Sequence, residues 1–423
     1  MNKLVKKDFC TLKGEITIPS DKSISHRAII FSSLAKGKSI IRNFSTGQDP
    51  HSTLKIFRQL GVEIEDKNNG IIVNSSGRLC GGRTYDCGNS GTTMRLLAGA
   101  LAGQNFNSEL VGDESLSKRP MKRIIKPLSL MGAKITSKDG KAPLSIYGTE
   151  LQPINYNSKI ASAQVKSCIL LAGLQTQGKT TVTEPYVSRN HTEIMLRHQG
   201  ADIEINETTV SIEKSELAPI EIDICGDISS AAYFIVAALI VPNSEIILKN
   251  VGLNPTRAGI IEVVKNMGGY IEILNQNEIC GELVGDLRIK YSQLQGTTTE
   301  GEIIPRLIDE IPIIAVLATQ AEGETIIRDA QDLRNKESDR ITAVVTELQK
   351  LGADIEETPD GMIIRGKNNL VGDVNLETYH DHRLAMSLYV AGLVCKKEIT
   401  INEFEWVNIS FPEFEKLFEN LKK

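Results

Sequence analysis

The 423-residue chain carries 53 acidic against 48 basic side chains, a net charge of −5, with 41% hydrophobic and 24% charged residues. This composition excludes a disordered, collagen-like or fibrous chain and argues against a general nucleic-acid binder, which would be basic. The length exceeds the roughly 250–300 residues that one hydrophobic core supports, so at least two domains are expected.

The first residues, Met1 to Asp8, are charged with no apolar run behind them, and read as neither a signal nor a transit peptide. Lys3 to Pro19 offers strands with no helix before them. From there two patterns interleave. In one, a polar helix start precedes an apolar, often Ala-rich helix, a break and a strand. It begins near Ser23-Ile24-Ser25, Ser90-Gly91-Thr92, Ser162-Ala163-Gln164, Asp227-Ile228-Ser229, Asp309-Glu310-Ile311 and Asp381-His382-Arg383. In the other, a helix end meets a glycine and then an alternating strand, at Gly61, Gly132, Gly200, Gly268 and Gly352, spaced 71, 68, 68 and 84 residues apart. A glycine just past a helix suits the left-handed turn there. Asn69-Gly70, Asp139-Gly140 and Asp360-Gly361 then read as tight hairpin turns, with poorer turns expected near Asn206 and Asn275.

These patterns predict six units of strand, helix, strand, helix and hairpin. The sixth, ending in the helix from Pro412 to Lys423, lacks its hairpin, and the chain start is expected to pair into it and close it. Three units per domain place one domain at 20–224 and the other at 1–19 with 225–423.

Several helix starts carry more than capping residues: Lys22, Ser23 and Arg27; Asn89, Ser90, Gly91 and Arg95; Ser162, Gln164 and Lys166; His382 and Arg383. Free N–H groups at a helix start with a Lys or Arg beside them favour an anion. Several such ends facing one cleft would suit a small substrate with several negative charges, such as a phosphorylated carboxylate. Two acidic clusters stand against this background, Asp309-Glu310 and the mixed run Arg334 to Arg340. A carboxylate held among cations in a closed cleft is what proton transfer beside an anionic substrate needs.

Other signals carry less. Gly173 to Thr180 fits the phosphate-loop pattern, but a helix precedes it and a β-branched strand follows, the reverse of what that loop requires. His380 and His382 flank Asp381 without further clustered ligands, so no metal is expected. The apolar run Ala231 to Val241, stopped by Pro242, is about half of the ~20 residues a membrane span needs. Seven scattered cysteines (10, 80, 87, 168, 225, 280 and 395) without a CxxC pair read as free thiols in a reducing cytoplasm.

Pro19-Ser20-Asp21-Lys22-Ser23-Ile24-Ser25-His26-Arg27-Ala28 and Gly88-Asn89-Ser90-Gly91-Thr92-Thr93-Met94-Arg95 resemble signatures of the 5-enolpyruvylshikimate-3-phosphate (EPSP) synthases. So do Lys118-Arg119-Pro120-Met121, Ser162-Ala163-Gln164-Val165-Lys166, Arg189-Asn190-His191-Thr192-Glu193, Asn254-Pro255-Thr256-Arg257, Lys336-Glu337-Ser338-Asp339-Arg340 and Asp381-His382-Arg383, in the family's order over nearly the whole chain. The resemblance implies an α/β fold of two inside-out α/β barrel domains, each built from three repeated βαβαββ units closing on a cleft. It implies transfer of the enolpyruvyl group of phosphoenolpyruvate to the 5-hydroxyl of shikimate-3-phosphate with release of phosphate, by addition–elimination in that closing cleft. No cofactor, metal, nucleic acid or membrane is implied, and a cytoplasmic monomer is expected.

Carried over by motif, Lys22, Ser23, Arg27, Ser162, Ala163, Gln164, Arg189 and Lys336 would hold shikimate-3-phosphate. Gly91, Arg119, Arg340 and Arg383 would bind phosphoenolpyruvate, with Lys22 and Gln164 touching both. Asp309 would take the hydroxyl proton, Glu337 would exchange a proton with the methylene, and His382 would sit close by. Asp332, Leu96 and Ile409 depart from one branch of the family, where Asn, Pro and Lys stand. The Ser-Ala-Gln and Arg-x-His-x-Glu forms resemble the other branch, linked to glyphosate tolerance, whereas Gly91 suits inhibitor binding, so inhibitor sensitivity stays open. A UDP-N-acetylglucosamine enolpyruvyl transferase would carry a mobile-loop cysteine, and Val111 to Arg119 has none. A non-catalytic relative would be expected to lose Lys22, Asp309 or Glu337, and an RNA-end-modifying enzyme of related architecture gains no support from these motifs or from the charge.

Overall fold

The computed structural model describes residues 1–6, 11–67, 70–367 and 369–423. Cys10, and Asn69 of the first expected hairpin turn, lie outside them. The chain divides into two compact units. An inserted unit holds Ser20–Ile224 with Glu278–Glu282. A terminal unit holds Met1–Pro19, Cys225–Asn277 and Leu283–Lys423. The domain division read from the sequence left residues 278–282 with the terminal unit.

All six polar helix starts open helices: Lys22–Leu34, Gly91–Ala102, Ala163–Gly173, Ile228–Ile240, Ile311–Thr319 and His382–Gly392. Four have side-chain caps. Asp21 accepts from the Ile24 N–H at 2.7 Å, Ser90 from Thr93 at 3.1 Å, Asp227 from Ser229 at 2.8 Å and Asp381 from Arg383 at 2.9 Å. These six helices are buried nearly all round. Every residue of Ile311–Thr319, for example, is inaccessible or nearly so. A helix with no wet face belongs at the centre of its layer. The second helix of each repeat, such as Gln48–Gln59 or Arg340–Lys350, has one buried and one solvated face. The five repeat glycines all adopt positive φ, between +77° and +91°, directly after these amphipathic helices.

Among the described residues the strands form six small sheets, five of four strands and one of three. Each four-stranded sheet repeats one pattern. In the second, Thr84–Asp86 runs parallel to Ser108–Val111, which pairs antiparallel with Lys141–Tyr147, itself paired with Lys134–Lys138. Burial alternates along Lys141–Tyr147, so one face packs on the helices and the other meets water. Helices inside and strands outside are the inside-out arrangement expected of the fold.

Two strand exchanges join distant parts of the chain. Glu221–Asp223 completes the first sheet of the inserted unit beside Lys36–Arg42. Lys13–Thr17 runs parallel to Glu245–Lys249 in the terminal unit. The chain start does pair into the sixth repeat, Lys3–Val5 lying antiparallel to Ile399–Ile401 in place of the missing hairpin strand. It therefore serves two sheets rather than the one expected.

Turns were read less well. Asp139 and Gly140 adopt the left-handed pair the sequence suggests (φ +54° and +76°). Gly361, however, pairs with Thr358, so that turn lies one residue earlier, over Pro359 and Asp360. The fourth hairpin does not turn near Asn275. Tyr270–Ile279 runs on to Cys280 and Gly281 (φ +50° and +82°) before returning as Glu282–Lys290. The six described cysteines are free thiols. Gly173–Thr180 lies between a helix and a strand, in the inverted order that excludes a phosphate loop. Among the described residues no helix is long and apolar enough to cross a membrane.

Candidate active site

In the inserted unit the candidate residues gather at three helix starts. Lys22, the first residue of its helix, pairs with Asp49 at 3.1 Å. Arg27, one turn on, is 2% exposed. Its guanidinium donates to Thr192 Oγ1 at 2.7 Å, Ser167 Oγ at 2.9 Å and the Ser23 carbonyl at 3.0 Å. Burial pulls its pKa down to about 10, opposed by the nearby Glu193 charge. His26 beside it bonds Thr53 Oγ1 at 2.7 Å, and burial, with Lys22 and Arg27 alongside, holds it well below the usual histidine range, hence neutral.

The second helix start is built around Gly91. A Cβ added there would lie 2.8 Å from Arg95 Nη1 and 3.3 Å from Arg119 Nη1. Glycine thus leaves room for two guanidinium groups above one helix N-terminus. Arg119 donates to Asn89 Oδ1 at 2.9 Å, and Arg95 to Gln164 Oε1 at 2.7 Å, while the Gln164 amide donates to Thr92 Oγ1 at 3.0 Å. Gln164 therefore joins the second helix start to the third. Leu96, one of the departures, is fully buried core.

At the third start, Ser162 has no side-chain capping bond, and Ala163 is the first helical residue. Lys166 overturns an expectation. It is not an anion-facing cation but is 2% exposed, bonded to Glu184 at 2.9 Å and Glu193 at 2.7 Å. Arg189 lies in the turn before the helix His191–His198, and its charge reaches Arg27. His191 Nδ1 is 2.6 Å from Glu282 Oε1, both nearly inaccessible. Arg95, Asp49, Ser167, Thr192, Glu184 and Glu282 were not among the site residues read from sequence. Arg95 stands at a helix start and Thr192 within the Arg189–Glu193 motif; the others carry no local signal.

In the terminal unit the candidates converge on Arg340, which is 1% exposed. Its Nη1 lies 3.3 Å from Asp309 Oδ1, its Nη2 2.6 Å from Glu337 Oε2 and its Nε 2.7 Å from Asp381 Oδ2. Burial alone would lower its pKa, but Asp381 and Glu337 more than offset that and hold it above the usual arginine value. Asp381, wholly buried, is itself held below the carboxylate range: burial works against this, and Arg340 overcomes it. Lys336 reaches Asp309 at 3.4 Å and Asp332 at 3.6 Å. Arg383 donates to the Asp309 carbonyl at 3.3 Å and has its side chain 3.9 Å from the carboxylates of both Asp309 and Glu310. Here too burial opposes the charge, and Asp309, Tyr233 and Glu310 restore it. His382, the first residue of its helix, is 3% exposed. Glu310 accepts from Ser229 and from Arg257 at 3.0 Å, bracing the helix start beneath Asp309. Ile409 is buried.

Each unit thus gathers its share of the predicted residues: Lys22, Ser23, Arg27, Gly91, Arg119, Ser162, Ala163, Gln164 and Arg189 in one, Asp309, Lys336, Glu337, Arg340, His382 and Arg383 in the other. The charged members of the first set are all cations and the second mixes carboxylates with cations, a division suited to anion binding and proton transfer. The family model described as EPSP synthase (3-phosphoshikimate 1-carboxyvinyltransferase) matches residues 7–418. The chain belongs to the EPSP synthase family.

Relatives agree over full length. The 3-phosphoshikimate 1-carboxyvinyltransferase of Thermodesulfovibrio yellowstonii is 53% identical over 432 residues, covering 100% of both chains. That of Thermoanaerobacter sp. strain X514 is 52% identical over 420 residues, 98% of this chain and 99% of the relative. The solved EPSP synthase of Acinetobacter baumannii superposes with a TM-score of 0.88 at 42% identity, covering 100% of this chain and 98% of that one. The chain is a transferase that moves the enolpyruvyl group of phosphoenolpyruvate to shikimate-3-phosphate, and its fold is the two-domain inside-out α/β fold of that family.

Proposed function

We propose that the two gathered sets divide the work on one pair of substrates. Lys22, Ser23, Arg27, Ser162, Ala163, Gln164, Arg189 and Lys336 hold shikimate-3-phosphate, its phosphate lying at the start of the Ala163 helix. Gly91 lets Arg95 and Arg119 close over the helix start where phosphoenolpyruvate binds; Arg119, Arg340 and Arg383 bind its anionic groups, and Lys22 and Gln164 serve both ligands. The observation that carries this reading is the single Arg340 guanidinium shared by Asp309 and Glu337, at 3.3 and 2.6 Å. One buried cation fixes two carboxylates, so two proton-transfer groups are ordered before substrate arrives.

The chemistry then runs as addition and elimination. Glu337 gives a proton to the methylene carbon of phosphoenolpyruvate, and positive character develops on the neighbouring carbon. The 5-hydroxyl oxygen attacks that carbon while its proton passes to Asp309, with His382 close by. The carbon–oxygen bond to phosphate then breaks, the departing phosphate taking the proton held by Asp309, while a methyl proton returns to Glu337 as the double bond forms again. Fixed Lys and Arg side chains offset the charge that grows on the departing phosphate. The chain works as a monomer in the cytoplasm.

Phosphate release, measured with both substrates and with each omitted in turn, tests the reading. Release should require both. Asp309→Ala should lower kcat by about two to four orders of magnitude while shikimate-3-phosphate still binds. Near-normal turnover in that variant would remove Asp309 from the proton path.

A further inference from the structure

Glu184 has no role in the reaction, yet it is 4% exposed and accepts more donors than its position after the strand Thr180–Thr183 requires. Its Oε1 accepts the backbone N–H of Ser162 at 2.7 Å. The Ser188 hydroxyl donates to it at 2.7 Å, and the Ser188 N–H reaches it at 3.4 Å. Lys166, from one turn into the Ala163 helix, bonds it at 2.9 Å and also donates to the Ser188 carbonyl at 3.2 Å. Glu193, 2.7 Å from the same Lys166, completes the cluster.

These bonds tie together two segments distant in sequence. Ser162 opens the helix whose first residues face the phosphate in the reading above, and Ser188 directly precedes Arg189. Among the described residues Glu184 is the acceptor of the Ser162 N–H, and the Ser162 hydroxyl does not cap its own helix. A neutral apolar side chain at 184 would leave the Ser162 N–H and the Ser188 hydroxyl without their acceptor, and buried donors left unmade are costly.

We infer that Glu184 is a positioning residue for shikimate-3-phosphate, fixing the spacing between the Ser162 helix start and the Ser188–Arg189 turn so that both meet one phosphate without reorganisation. Lys166 is the cation paired with this carboxylate in the interior. The inference rests on the assignment of Ser162 and Arg189 to the phosphate.

Steady-state kinetics with each substrate varied separately test it. Glu184→Ala should raise KM for shikimate-3-phosphate about 10- to 100-fold, the range expected for losing a buried bond to a charged group. KM for phosphoenolpyruvate and kcat should change little, about threefold at most. Glu184→Gln keeps an acceptor oxygen for the Ser162 N–H and leaves Lys166 paired with Glu193, so it should recover most of the affinity. A merely structural role would lower kcat and weaken both substrates together, or depress both variants alike, and either result overturns the inference. An unchanged KM in Glu184→Ala overturns it as well. Ser162→Ala separates the two levels: if it leaves KM for shikimate-3-phosphate untouched, the phosphate assignment itself fails; if it raises KM while Glu184→Ala does not, only the positioning role fails.

Discussion

At Gly91 the missing side chain is itself the functional feature, because Arg95 and Arg119 occupy the space a methyl group would take. Gly91→Ala should displace these guanidinium ends by a few tenths of an ångström and raise KM for phosphoenolpyruvate about tenfold, with little change for shikimate-3-phosphate. Separate KM determinations check this, and an equal rise for both substrates would contradict the placement. Residues of this kind were legible because they lie in short local motifs at helix starts. Lys166 was read as a cation facing an anion because it shares such a motif. Its surroundings argued otherwise: the residues from Val165 to Gly173 form an unbroken buried run. A lysine in such a run must be paired, but its partners Glu184 and Glu193 lie 18 and 27 positions on, and nothing local ties either of them to Lys166.

At the scale of elements, the helix starts were the most readable feature, since a capping side chain and a change from polar to apolar residues mark each one. Ser90 accepts both the N–H and the hydroxyl of Thr93, at 3.1 and 2.8 Å. Ser90→Ala should therefore cost about 1 kcal/mol, lowering the thermal midpoint by roughly 2–4 °C for a domain of this size. Calorimetry measures it, and an unshifted midpoint would show that the helix start is held by other bonds. Hairpins were less readable. The long one was cut short in the sequence because the run from Asn275 to Glu278 is polar and exposed, without the alternation that marks a half-buried strand. Asn275 itself has a positive φ and bonds Asp286 at 2.8 Å, an irregularity inside the strand that resembles a turn.

For the molecule as a whole, the repeat count was visible because each unit repeats the same helix-end glycine, but the strand exchanges were not. Lys13–Thr17 and Glu221–Asp223 each fill a place in a sheet remote in sequence, and only pairing in space reveals which. Removing residues 1–17 would strip one strand from each of two sheets of the terminal unit, Lys3–Val5 and Lys13–Thr17. Activity should be lost, and the calorimetric transition of the terminal unit should broaden or disappear while that of the inserted unit persists. Two undiminished transitions would mean these strands are dispensable.

The pairing of Lys3–Val5 with Ile399–Ile401 also orders events during synthesis. The ribosome releases Lys3–Val5 long before its partner Ile399–Ile401. Ser20–Ile224 can collapse while translation continues. Lys3–Val5 must wait, its backbone donors and acceptors hydrated, until Ile399–Ile401 has been made. Completion of the terminal unit is thereby delayed until the sixth repeat leaves the ribosome.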